Sequence, residues 1–196
     1  MKLRTASYIV CCAVVTAGIG VAANSIVLAR QTKEGAANPR VESQESFTVV
    51  GMAARTNNAS EASADPVIGK QWAKFFSEGV AAKIPNRADS NIVAVYTDYA
   101  SDVNGDYTFL IGARVTKAES LPEGLVAKTV PAGRYAVFTS ARGQVQQVVV
   151  DVWKRVWATP KRELGGDRTY KADFEFYDQR AQNPSDAVME IHVGIK

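Results

Sequence analysis

One succession of hydrophobic periods occurs twice in this chain, and nothing else in the sequence limits its possible folds so tightly. From Phe47 the pattern runs strand (Phe47–Ala53), helix, strand (Ile92–Tyr99), strand (Tyr107–Val115). After Leu121-Pro122-Glu123-Gly124 it starts again: a strand over Leu125–Thr139 bent at Pro131-Ala132-Gly133, a helix, then strands Tyr170–Asp178 and Val188–Ile195. The second helix is the clearest element. Val145, Val148, Val149, Val152, Trp153, Val156 and Trp157 all fall on one helical stripe, which outweighs the poor intrinsic helix propensity of valine. The first helix, opened by Asp65-Pro66 and closed near Ile84-Pro85, carries Ile68, Trp72, Phe75, Phe76 and Val80 at similar spacing. A repeat of about 75 residues is too long for a solenoid and suits two fused halves. The expected class is α+β: duplicated strand-helix-strand-strand units related by a pseudo-twofold, an antiparallel sheet with two helices on one side, and a central ligand cleft between the halves.

The N-terminus lies outside this plan. Lys2 and Arg4 precede an uncharged stretch from Thr5 to Ala29, which reads either as a secretory signal cut after Val21-Ala22-Ala23 or as a retained membrane anchor. Either reading places the domain outside the cytoplasm, periplasmic, secreted or anchored. Tyr8-Ile9-Val10 ahead of Cys11 lacks the small residue that lipidation requires. Residues 30–46 have the composition of a solvated linker, so the domain is expected over 47–196. Both cysteines, Cys11 and Cys12, belong to the apolar run, which leaves the domain no disulfide and no thiolate metal site. The chain's charge of +3 is concentrated early: residues 1–46 hold five Lys/Arg against three Asp/Glu, leaving 18 against 17 in the domain. A near-neutral domain lacks the basic stripe that nucleic acid demands.

The strand Tyr170–Asp178 carries the chemistry. Period two places Ala172, Phe174 and Phe176 on one face and Asp173, Glu175 and Tyr177 on the other. If that second face meets solvent, Glu175 is a surface residue. If it meets an aromatic cleft, its charge costs energy unless a cation arrives or its pKa rises.

Several segments in this order resemble the gyrase-inhibitor-like, or bacterial effector-binding, domain family. They are Tyr107-Thr108-Phe109-Leu110-Ile111-Gly112, Pro131-Ala132-Gly133-Arg134-Tyr135-Ala136-Val137-Phe138, the helical Trp153, Asp173-Phe174-Glu175-Phe176-Tyr177, and Met189-Glu190-Ile191-His192-Val193-Gly194-Ile195-Lys196. The resemblance covers about residues 47–196. It implies a small, hydrophobic and often cationic ligand held in the cleft, with Glu175 as its counter-charge. Tyr177, Tyr96 and Phe109 are then expected in the walls, with Tyr135 and Trp72 as further candidates, whereas Trp153 belongs by its stripe to the core. Regulatory members of that family carry a DNA-binding helix-turn-helix ahead of this domain. Here a signal or anchor and a linker stand there instead.

Two other functions stay open. Some members of the resembled family hydrolyse small electrophiles, and a Glu175 of raised pKa beside Tyr177 would serve as base and acid. An envelope partner-binding domain is the other. No metal or cofactor is expected: His192 has no second histidine, the Asp98, Asp102, Asn104, Asp106 turn misses calcium-loop spacing, and no glycine-rich phosphate loop joins a strand to a helix.

Overall fold

The computed structural model describes residues 38–196, so the signal or anchor expected over residues 1–29 lies outside the described residues. Eight strands form one antiparallel sheet: β1 (Arg40–Gln44), β2 (Phe47–Thr56), β3 (Ile92–Thr97), β4 (Tyr107–Val115), β5 (Val126–Val130), β6 (Gly133–Thr139), β7 (Arg168–Tyr177) and β8 (Glu190–Ile195). Helices α1 (Asn58–Glu61), α2 (Val67–Ser77) and α3 (Val80–Lys83) follow β2; α4 (Val145–Ala158) and α5 (Lys161–Leu164) follow β6. No helix among the described residues is long and apolar enough to cross a membrane.

The strand order is β1-β6-β8-β7-β3-β4-β2-β5. Its inner six strands read the same from either end once the halves are matched, which is the expected pseudo-twofold, with β7 and β3 paired at the centre. The flanking strands are exchanged. β1 precedes the first half yet pairs with β6 of the second, while β5 precedes the second half yet pairs with β2 of the first. Only two residues join β1 to β2 and β5 to β6, so the sheet must curl until its distant edges meet. Ring contacts record that curl: Phe174 of β7 touches both Phe47 of β2 and Tyr135 of β6, with centroids 5.2 and 5.4 Å apart. Gly51 and Gly112 face each other across β2 and β4, where a Cβ on either would lie 2.1 or 2.0 Å from the other strand's carbonyl oxygen. Only glycine permits that approach.

Three expectations are corrected. Residues 40–44 are not linker but edge strand β1, fixed by Arg40 to Thr139 and Glu190 at 2.9 Å each. The bend at Pro131 separates two strands that pair at opposite ends of the sheet. The first helix breaks at Gly79, whose φ of 60° is left-handed, and its start is not capped by Asp65. Glu61 takes that role, its carboxylate accepting from the backbone N–H groups of Val67 and Ile68 at 3.1 Å.

The two sheet faces have separate cores. One buries Val49, Val95, Leu110, Tyr135, Val137 and Phe174 within the curl. The other is covered by helices, α2 lying on β2 and β4 and α4 on β6 and β8. Each helix thus packs chiefly on the outer strands of its own half, and the central β3–β7 pair lies between the two helices. That strip is the floor of a cleft.

Candidate functional site

Period two on β3 and β7 sends Tyr96, Asp173, Glu175 and Tyr177 to the helix side of the sheet. The register sets Tyr96 against Asp173 and Ala94 against Glu175. Above them, between α2 and α4, lies a cavity of about 1320 Å³ with walls of Tyr96, Tyr99, Tyr107 and Tyr177 and all three tryptophans, Trp72, Trp153 and Trp157.

Glu175 is the centre of this arrangement and is 1% exposed. Its Oε1 accepts from the Tyr96 hydroxyl and the Trp153 indole N–H, and its Oε2 from the Tyr177 hydroxyl, each at 2.7 Å. All three donors line the cavity, so the carboxylate stands directly behind a layer of aromatic rings. No ion pair to Glu175 forms among the described residues, where every other fully buried charge has one. Burial raises its pKa above the usual carboxyl value, and the bonds from Trp153, Tyr177 and Tyr96 only partly oppose the rise. Burial and the neighbouring carboxylate together push the Tyr96 and Tyr177 phenols well above their ordinary range, so both remain donors.

The aromatic packing holds this geometry. Tyr96 meets Trp153 edge to face at 4.9 Å, and Trp72 meets Tyr177 likewise at 5.1 Å. Each helix also carries an outer ring stacked on its inner tryptophan: Phe76 on Trp72 at 5.7 Å, Trp157 on Trp153 at 6.1 Å. These i, i+4 pairs run from the floor to the mouth of the cavity.

The structure brings Glu175, Tyr177, Tyr96 and Trp72 of the expected residues together at one cavity. Phe109 is fully buried beneath Tyr96 at 5.3 Å and supports the wall without forming it. Tyr135 is a correction. It lies on the opposite face, packed on Phe174, and its hydroxyl donates to the Pro131 carbonyl at 2.9 Å. His192 shares that face, stacked on Phe174 at 4.3 Å with Nε2 3.6 Å from Glu190. Trp153 is the residue that sequence reasoning left in the core. A buried indole N–H needs an acceptor, and a buried Glu needs donors; that complementarity was the available signal.

An eight-stranded antiparallel α+β sheet with an aromatic cleft over its central strand pair defines the effector-binding class of domain. The chain belongs to the family of integron-associated effector-binding proteins, Cass2, whose model matches residues 40–195. Among its relatives is YobU of Bacillus subtilis, whose name makes it a transcriptional regulator; it is 36% identical over 147 residues, 74% of this chain and 90% of that one. The transcriptional regulator BrlR of Pseudomonas aeruginosa is 30% identical over 80% of this chain, which spans only about half (54%) of BrlR. The integron cassette protein of Vibrio cholerae superposes with a TM-score of 0.65 at 28% identity, over 81% of this chain and 96% of its own. SAV2435, solved bound to tetraphenylphosphonium, shares the fold, with a TM-score of 0.65 at 17% identity over 81% of this chain and 93% of its own.

Proposed function

We propose that this domain works outside the cytoplasm as a receptor for lipophilic aromatic cations, with Glu175 supplying the counter-charge from behind the aromatic layer. One observation carries the reading: a buried carboxylate without an ion-pair partner among the described residues, held by three donors that are themselves the cavity wall. Aromatic faces attract a cation by about 0.5–2 kcal/mol each when desolvated. A carboxylate about 5 Å away adds roughly 3 kcal/mol at an effective dielectric of 20. Because Oε1 already accepts twice, a cation that needs no hydrogen bond of its own suits the site best.

The test is calorimetric titration with tetraphenylphosphonium and with tetraphenylborate, which has nearly the same shape and the opposite charge. Binding of the cation alone is expected, and Glu175→Gln should weaken it by about 10- to 100-fold, the equivalent of one or two steps of 1.4 kcal/mol. Equal affinity for the two ions, or equal loss of both in the variant, would remove the counter-charge role. Turnover of an electrophilic ester or epoxide that disappears in the same variant would favour the hydrolase reading instead.

A further inference from the structure

The described residues expose five large hydrophobic side chains, and three of them, Phe76 (59%), Val150 (47%) and Trp157 (53%), line the cavity. They sit on both helices, so the apolar surface forms two facing rails at the mouth and not one patch on one element. Phe76 and Trp157 are the outer members of the stacked pairs, which makes the mouth continuous with the aromatic interior. Exposed rings placed so match the aromatic belt where a protein meets lipid headgroups.

The chain also enters the domain two contacts away from a turn that lines the cavity. Arg40, the first residue of β1, is bonded to Glu190, and Glu190 is paired in turn with Arg180 at 3.2 Å. Arg180 lies in the short turn Gln179–Ala181, both ends of which line the cavity. Ahead of Arg40, residues 30–39 can reach at most about 35 Å, and ahead of them runs the uncharged stretch Thr5–Ala29 flanked by Lys2 and Arg4.

From these two observations we propose that the mouth of the cavity docks on a lipid bilayer, with Phe76, Val150 and Trp157 seated among the headgroups, so that ligand passes between membrane and cleft without crossing bulk water. The inference rests on the location proposed above and not on the charge of the ligand. A cation dissolved at the lipid interface is already concentrated there, and a cleft opening onto that layer draws on the concentrated pool.

The test uses the full chain mixed with phosphatidylcholine–phosphatidylglycerol vesicles whose acyl chains are brominated either near the headgroup (6,7-dibromo) or deep (11,12-dibromo). Tryptophan emission is expected to fall by about half with the shallow label and less with the deep one, with most of that loss absent in Trp157→Phe. In Phe76→Gln/Val150→Gln, where Trp157 remains as reporter, the quenching should fall several-fold while sedimentation with vesicles persists through the N-terminal stretch. Equal emission in brominated and plain vesicles, or quenching unchanged in the double variant, overturns the proposal. If residues 5–29 instead occupied the mouth, emission would be insensitive to bromine, which counts against it too. Glu175→Gln should leave the quenching intact, so failure of the cation reading and failure of this one give different results.

Discussion

Asp173 and Glu175 stand two residues apart on one face of β7, both almost wholly buried, and the protein treats them differently. Asp173 is satisfied internally by an ion pair with Arg168, the Tyr99 hydroxyl at 2.7 Å and the Gly194 backbone N–H at 2.9 Å. Glu175 has donors of comparable quality and, among the described residues, no cation. The difference teaches what separates a buried acid neutralised within the fold from one that is only hydrogen-bonded there. Hydrogen bonds orient either carboxylate, but only a fixed opposite charge removes the field that a ligand would feel.

The largest expected effect lies on the structural side of the pair. Arg168→Met leaves Asp173 buried and unpaired and should cost about 3–5 kcal/mol in urea unfolding. Adding Asp173→Asn should recover part of that loss; no recovery would mean that Arg168 acts through its stacking on Tyr170 and not through charge. On the other side, cation affinity should depend on pH. Glu175 titrates above its ordinary 4.5, so cation binding should rise as pH passes through the elevated value and should release a proton, whereas Glu175→Gln should show a flat profile.

Stability should move the opposite way. In the window between 4.5 and the raised value the folded state holds a proton that the unfolded chain has lost, so stability falls as pH rises there. Thermal melts at pH 4 and pH 8 should therefore diverge more in the wild type than in Glu175→Gln. Tyr177→Phe removes one of the bonds that lower the Glu175 pKa, so the midpoint for cation binding should shift to higher pH. The smallest effect is expected at Tyr135→Phe, on the far face, where about 1 kcal/mol of stability is lost and ligand affinity is unchanged. A change in affinity there would show that the two faces communicate.

Much of this was legible beforehand, for reasons that can be named. Glu175 could be found because alternation on β7 is strong and sets it between Asp173 and Tyr177 on one face, opposite Phe174 and Phe176. Tyr135 could not be placed, since Tyr135-Ala136-Val137-Phe138 is apolar on both faces and only pairing with β8 decides which face is which. Residues 40–44 read as linker because Arg-Val-Glu-Ser-Gln is the polar sequence an edge strand adopts to discourage further pairing. Trp153 read as core because a helical stripe reports that a side chain is covered, not what covers it. The exchange of β1 and β5 had no local signature, because it is decided by closure of the whole sheet.

That exchange has a mechanical outcome. With each half clasping the margin of the other through a borrowed strand, the two halves cannot swing apart as a hinged pair without tearing two ladders at once. The space between them is thus a mould of nearly constant width, and discrimination among guests falls to rotation of the ring side chains within it. Severing the chain between Thr116 and Leu125 should yield two fragments that find each other again in solution, neither of which is a complete domain alone.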